Sequence, residues 1–386
     1  MTQKFQTVRG MRDLLPAQMK KKQSIEDTCR KVFESFGFEP LQTPIVEDLA
    51  LLTKKGGGGD AIRDEIYFFK DKGDREVGLR FDLTVPLGRI VATNPQLPKP
   101  FKRYCIGTVY RYDRPQAKRY REFTQADWDI VGVEGVLAEF ETIAVAVNVM
   151  QELGLEFVVR INSRPVLETI AQKCGVKPAQ IPDCFRLIDK QDKMDWKDIE
   201  NELTEKGIDA KIVKVLQKNN RAEIEKLQEK NADWTRLKGL LDLFEKNKMD
   251  SFIQLDFALA RGLDYYTGTV FEISCENTTV GGGGRYDAMV ELYGGPATPC
   301  VGCSFGVDRL LDLLEAKMES KSNTRVLVAI LDQTQQSYGL KVADAFRQNN
   351  WNCEVDLLNR NVGKNIEYAS KKGIPFVAVV GENEEK

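Results

Sequence analysis

Near the start of the chain, Ile25, Cys29, Val32, Phe33 and Phe36 recur at helical spacing, which predicts an amphipathic helix over 17–36 that Gly37 ends. Residues 38–46 are punctuated by prolines and read as extended chain. From Tyr67 to Ile130 the pattern is mostly period two, the mark of strands. Between about 168 and 250 it turns rich in Lys, Glu and Asp and poor in Gly, which predicts an inserted helical module. Strand patterning returns over 251–274, followed by a helix over 307–314 and a polar linker at 317–324. The remainder alternates: strand 325–331, helix 338–346, strand 353–357, helix 366–371, strand 376–380. That order predicts a small parallel sheet with right-handed crossovers, whereas the central region predicts an antiparallel sheet. The expected fold class is α+β, with one domain over 1–320 and a second over 325–386.

Two segments place polar groups on one face. In the segment 80–86, read as a strand, Arg80, Asp82 and Thr84 alternate with Phe81, Leu83 and Val85. In 122–130, Phe123, Gln125, Asp127 and Asp129 alternate with Ala126, Trp128 and Ile130. Side chains change face at each strand residue, so each segment turns a hydrogen-bonding row to one side. Acidic and amide groups interleaved with an aromatic fit a pocket better than a solvated sheet face.

Composition sharpens this. The chain has 386 residues and a net charge of −2, with 42% hydrophobic and 30% charged residues, a globular balance of more than one domain. No apolar run approaches a membrane span and the start lacks a signal-peptide core, so a cytoplasmic protein without a membrane partner is expected. Its eight scattered cysteines suit a reducing compartment. Histidine is absent. That excludes Ser-His-Asp and Cys-His nucleophilic sites, His-ligated zinc and any imidazole acid or base.

Charge is also unevenly placed. Lys102 to Arg121, lying between the two polar segments, carries seven basic residues against one acid, Asp113. Its four arginines within Arg111–Arg121 fit a clamp on phosphates, since guanidinium offers permanently charged, bidentate donors. Arg261, Tyr265 and Tyr266 stand at a strand entrance. The run 280–287 joins four glycines, which let backbone approach a ligand, to Arg285 and Tyr286. Gly302 to Arg309 is a glycine-rich strand leading into a helix. The glycines at 56–59 lack a following Gly-Lys-Ser/Thr and read as a loop. Cys300 and Cys303 have no second pair, so no protein-held zinc is expected.

These segments resemble the histidyl-tRNA synthetases, a family of class II aminoacyl-tRNA synthetases, over nearly the whole chain, beginning at Arg9-Gly-Met-Arg-Asp-Leu-Leu-Pro16. The segment ending at Pro44 resembles motif 1, Tyr110–Pro115 through Arg121–Asp129 motif 2, and Gly302–Arg309 motif 3. Arg261-Gly-Leu-Asp-Tyr-Tyr266 and Gly283-Gly-Arg-Tyr-Asp287 resemble the histidine-specific signatures, and Arg80-Phe-Asp-Leu-Thr84 the archaeal and eukaryotic form. The resemblance implies an ATP-dependent histidine–tRNA ligase, with ATP and Mg2+, histidine and tRNA(His) as partners, acting as a homodimer. It implies a class II antiparallel catalytic sheet with the helical insertion, and a C-terminal anticodon-binding-like domain, here shorter than usual.

The resemblance also implies site roles. Arg111 would bind the ATP α-phosphate, Asp113 would lie near adenine, and Phe123 and Arg309 would sandwich the ring. Asp82, Thr84 and Gln125 would hold the substrate amino group. Asp129 and Tyr266 would read the imidazole, with Tyr265 and Tyr286 in the same pocket. Arg261 would bridge carboxylate and α-phosphate, and Arg114, Gln116, Lys118 and Arg119 would meet the tRNA acceptor end. Thr124 departs from the aromatic or histidine common at its position. Two other readings remain: a histidine-binding regulatory paralogue of the ATP phosphoribosyltransferase type, and a class II synthetase for another amino acid.

Overall fold

The structure is a computed structural model that describes residues 5–54, 64–112, 120–228, 231–260, 266–276, 278–315 and 322–381. It divides into two compact units, one of residues 1–13 and 22–314, the other of residues 14–21 and 315–386. Among the described residues no helix is long and apolar enough to cross a membrane.

In the first unit the strands in chain order are β1 (Glu39–Pro40), β2 (Val46–Asp48), β3 (Phe68–Lys70), β4 (Glu76–Leu79), β5 (Phe101–Tyr110) and β6 (Glu122–Val131). They continue as β7 (Val158–Ser163), β8 (Ile253–Leu255), β9 (Thr269–Cys275), β10 (Thr278–Arg285) and β11 (Cys300–Gly306). Eight of them form one sheet in the order β1-β5-β6-β11-β10-β9-β7-β8. Its six central strands are antiparallel, and β1 and β8 join the edges in parallel. β2, β4 and β3 make a separate small sheet.

The two faces of β6 divide the molecule as the alternation predicts. Trp128, fully buried, packs between Phe33 at 5.0 Å and Phe305 at 5.1 Å and donates its indole N–H to Thr142 O at 3.0 Å. Phe33 belongs to the helix Pro16–Ser35, whose buried stripe is Ile25, Cys29, Val32 and Phe33. Thr142 belongs to the helix Val136–Glu152, which is apolar nearly all round and therefore sunk in the core. The insertion begins at the helix Arg164–Lys173, slightly ahead of 168, and ends with the helix Ala232–Lys246.

Three readings need correction. The segment 80–86 is not a strand: residues 80–83 turn, and Thr84–Thr93 is a helix whose first turn Asp82 caps by accepting from Val85 N–H at 3.1 Å. Arg80 faces no pocket; it is buried and braces Thr43 O at 2.9 Å and Thr108 O at 2.8 Å. The basic stretch from Lys102 is not one patch of charge, because Phe101–Tyr110 is β5 and Arg103 is inside the protein.

In the second unit β12 (Val326–Ile330), β13 (Cys353–Val355) and β14 (Phe376–Val380) form a parallel sheet in the order β13-β12-β14. Helices Gln336–Gln348 and Val362–Lys372 supply the crossovers. Val326, Val328 and Ile330 of β12 pack with Ala343, whereas Leu327 packs with Ala369 and Ile374, so both faces of the central strand are buried.

Arg285, which the glycine run seemed to offer to a ligand, is a structural cation. Its Nε and Nη2 grip Glu139 at 2.8 and 2.6 Å, and Nη1 donates to Val133 O at 3.0 Å. Arg236 reaches the same carboxylate at 2.8 Å. Glu139 is fully buried, so removing it leaves the deeply buried Arg285 guanidinium with only the partly exposed Asp287, 3.1 Å from Nη1, as counter-ion among the described residues. Glu139→Ala should lower stability by about 3–5 kcal/mol, read from denaturant unfolding followed by tryptophan fluorescence; a loss under about 1 kcal/mol would refute this account.

Candidate active site

Register places the site's side chains before any ligand does. Directly opposed residues of antiparallel strands share a face. One row across the sheet is therefore Arg103 (β5), Asp129 (β6), Gly302 (β11) and Gly284 (β10). The next is Cys105, Asp127, Ser304, Gly282 and Glu272, and a third opens with Gly107, Gln125 and Gly306. Glycine and serine along β10 and β11 leave a trough, with Gln125, Asp127 and Asp129 as one wall. The emptiness is specific: a methyl group on Gly302 would strike the Asp129 carboxylate, and one on Gly284 would meet the Tyr266 ring at 2.8 Å.

At the floor Arg103, only 1% exposed, sets Nη2 at 2.6 Å from Asp129 Oδ2. That contact is a charge contact without hydrogen-bond alignment, for Asp129 Oδ2 has no hydrogen-bond partner among the described residues. The same Nη2 donates to Leu83 O at 3.0 Å, between Asp82 and Thr84. Tyr286 donates its hydroxyl to Asp129 Oδ1. Gln125 donates Nε2 to Ser304 Oγ at 2.7 Å. Gln125 Oε1, Asp127 Oδ1 and Arg103 Nε and Nη1 are buried without partners among the described residues. Buried polar atoms are normally satisfied, so this cluster has the form of a binding site for a polar, cationic group.

The electrostatics agree. Burial pushes the Asp127 carboxyl up to about 7, against the pull of Arg103. Burial likewise raises Asp82 to about 6, although it keeps part of its surface open and is helped by the Val85 N–H, Arg111 and Arg103. Asp129 is also raised by burial, with Arg103 and the Tyr286 hydroxyl opposing. Burial lifts the Tyr266 phenol, which therefore stays a proton donor at neutral pH.

The other end of the trough is cationic. The Arg111 guanidinium lies 5.3 Å from the Phe123 ring centre, and its Nε donates to Phe81 O at 3.0 Å. Arg309, exposed on the helix Val307–Leu314, donates Nη1 to Thr279 O at 2.9 Å. Beside it, Asp308 accepts from Thr124 N–H at 2.7 Å and from Arg12 at 2.8 Å, and Arg12 also donates to Tyr120 at 2.6 Å. Arg12 of the N-terminal motif thus braces the start of β6 and the helix after β11. Thr124 fits this brace through its backbone.

Of the expected site residues, Asp82, Asp129 and Tyr266 lie close together with Tyr286 on Asp129, Gln125 stands one row along, Thr84 opens the helix after Asp82, and Arg111 stands separately by Phe123. Asp113, Arg114, Gln116, Lys118, Arg119, Arg261, Tyr265, residues 55–60 and residues 317–321 lie outside the described residues. Two groups of this cluster were not among the expected site residues. Arg103 was counted with the basic stretch, although its spacing to Cys105 and Gly107 already carried a strand parity. Asp127 was placed on the polar row but given no role.

Comparison with known proteins adds the family. Residues 10–310 match the family model described as histidyl-tRNA synthetase, and residues 325–386 match the anticodon binding domain. A histidine–tRNA ligase of Methanococcus maripaludis is 38% identical over 396 residues, covering 98% of this chain and 93% of that protein. One from Pyrococcus furiosus is 36% identical over 401 residues, covering 98% and 92%. The crystal structure of histidyl-tRNA synthetase from Nostoc has a TM-score of 0.86 at 27% identity, covering 100% of this chain and 93% of that one. A Bacillus halodurans structure titled ATP phosphoribosyltransferase regulatory subunit/histidyl-tRNA synthetase has a TM-score of 0.83 at 20% identity, covering 98% and 99%, a likeness of fold.

Asp127 titrates near 7 in the fold against an ordinary 3.8, so the native protein holds this proton more tightly than the unfolded chain does. Its contribution to stability is full below about pH 4 and is lost as pH rises through about 7. The ligand-free protein should therefore show a thermal midpoint that falls from about pH 5 to about pH 8, and Asp127→Asn should flatten that slope. Parallel slopes in the two proteins would refute the assignment.

Proposed function

The chain belongs to the histidyl-tRNA synthetase family and acts as a histidine–tRNA ligase, and on that premise we propose how its side chains divide the work. The first step joins histidine and ATP into histidyl-adenylate with release of pyrophosphate; the second passes the histidyl group to the 3′ end of tRNA(His). The observation that carries the site reading is the trough whose acidic end holds unpartnered buried carboxylate oxygens and whose other end holds arginine over an aromatic ring.

At the acidic end Asp82, Thr84 and Gln125 hold the α-amino group, joined by Asp127. Asp129 and Tyr266, with Tyr286 and Tyr265, take the imidazole. An ammonium group between Asp82 and Asp127 favours their ionised forms, so binding itself drives off the protons that burial retains. At the cationic end Arg111 meets the α-phosphate, and Phe123 and Arg309 take the adenine between them, with Asp113 near its edge. Arg261 spans substrate carboxylate and α-phosphate. Arg114, Gln116, Lys118 and Arg119 face the acceptor end of the tRNA.

This chemistry needs no imidazole from the protein. The attacking carboxylate arrives ionised, so the first step requires alignment and charge neutralisation rather than a general base. A phosphate oxygen of the adenylate can take the ribose proton in the second. Magnesium, carried by ATP, would add positive charge at the phosphates. The charges the chain itself supplies there are its arginines.

Residues 1–320 form the catalytic domain in this reading and residues 325–386 the anticodon reader. A homodimer is supported by the small sheet and its approach, which leave Ile45, Val46, Phe68 and Phe69 exposed. The regulatory-paralogue reading loses weight because the full-length relatives are ligases and an anticodon domain is present.

Two substitutions test the division of labour. Asp129→Ala should raise the Michaelis constant for histidine about 10–100-fold, the worth of a lost charge-assisted hydrogen bond, while that for ATP moves little. Equal shifts for both substrates would count against it. Arg261→Ala should cut ATP–pyrophosphate exchange roughly 100-fold or more with the fold intact; near-normal exchange would remove Arg261 from the mechanism.

A further inference from the structure

We propose that Arg103 is a positioning residue that fixes the distance between the two ends of the amino-acid pocket, and so measures the length of histidine. The inference rests on the reading that Asp129 takes the imidazole and that the Asp82–Thr84 turn takes the amino group.

The geometry is a short chain of contacts. One nitrogen, Arg103 Nη2, touches both ends: it lies 2.6 Å from Asp129 Oδ2 and donates to Leu83 O at 3.0 Å. Leu83 stands between Asp82 and Thr84, so its carbonyl reports the position of that turn. On the far side Tyr286 holds the other oxygen of Asp129. β5 supplies Arg103 directly opposite Asp129, from a strand whose place in the sheet is set by ten paired positions. The ring reader and the amino-group holder, on different elements, are thereby referred to one rigid guanidinium.

Stability alone is a poor reason for such a residue. A fully buried arginine with two unpartnered donors carries a desolvation cost, and an apolar side chain of similar volume would pack the site more cheaply. Cys105 and Gly107, the next residues of β5 on this face, are small and uncharged. The titratable groups around Asp129 among the described residues are Arg103 and Cys105 on β5, Asp127 on β6, Asp82 in the turn, Tyr266 before β9, Tyr286 after β10, and Cys300 and Cys303 on β11. Arg103 is the one cation among these, so it opposes the rise that burial imposes on the Asp129 carboxyl.

The test is steady-state exchange by the full-length protein, with histidine and ATP varied separately across about pH 5.5 to 8.5. Arg103→Met should raise the histidine Michaelis constant by about tenfold or more and leave that for ATP within about twofold. Its acid limb in kcat/KM for histidine should move to higher pH, because Asp129 has lost its counter-ion; the substrate's own titration is common to both enzymes and cancels. Arg103→Lys, which keeps the charge without the shared nitrogen, should restore the acid limb but only part of the affinity. If Arg103→Met does not fold, Arg103→Lys carries the test by the same split. Arg103→Met/Asp129→Asn should regain thermal stability lost in Arg103→Met, since no buried charge is then unpaired. Parallel rises in both Michaelis constants, or an unmoved acid limb, would overturn the proposal. A normal histidine constant in Asp129→Ala would instead sink the site reading beneath it.

Discussion

The arrangement of the first unit turns on a shortage of positive charge inside it. Asp82, Asp127 and Asp129 converge on one face of the sheet, and among the described residues Arg103 is the deeply buried cation beside them. Burial raises all three carboxyls, Asp82 to about 6 and Asp127 to about 7, and Arg103 opposes the rise at each without cancelling it. The protein is thus built with a deficit that, in the proposed arrangement, a cationic amino group fills. Binding energy that would otherwise go to a tighter ion pair is kept for the ligand.

The sheet makes that deficit possible. Even-numbered residues of β6 carry Ala126, Trp128 and Ile130 into a core of aromatic contacts, and this packing anchors the strand while its odd-numbered residues stay polar. Across from them Gly302, Gly284, Gly282 and Gly306 carry no side chains and leave the trough open. At Gly302 the reason is steric, since the Asp129 carboxylate already occupies the place of a β-carbon. The glycine-rich motif is therefore part of the wall and not a flexible hinge: Gly281–Gly284 pair regularly with β11.

The strand alternation of β6, the β-α-β-α-β tail and the helix Val307–Leu314 were legible because period and packing agree there. The segment 80–86 misled for a definite reason. Its alternation is genuine, but Pro86 falls in the first turn of a helix and Asp82 caps it, and capping overrides a seven-residue period. Arg103 and Arg285 were misplaced by a different failure. Sequence shows that an arginine exists, but only the fold shows whether a carboxylate such as Asp129 or Glu139 waits inside to receive it. The unsatisfied oxygens that define the pocket are tertiary facts of the same kind. They exist only once β5, β6 and β11 are in register.

The absence of histidine from the chain then has a consequence beyond exclusion. In a ligase for histidine, the substrate brings the only imidazole into the pocket. Among the described site residues the groups that titrate near neutral pH before binding are the raised carboxylates Asp127 and Asp82, and the ligand adds its ring. These belong to opposite ends of the bound amino acid in the proposed arrangement: the carboxylates face its ammonium, and Asp129 with Tyr266 faces its ring. Protonation at one end weakens the grip on the amino group, and protonation at the other changes which ring nitrogens donate. Recognition of histidine is thereby coupled to pH through the ligand's chemistry and a small set of buried acids, with no imidazole of the protein's own to obscure either.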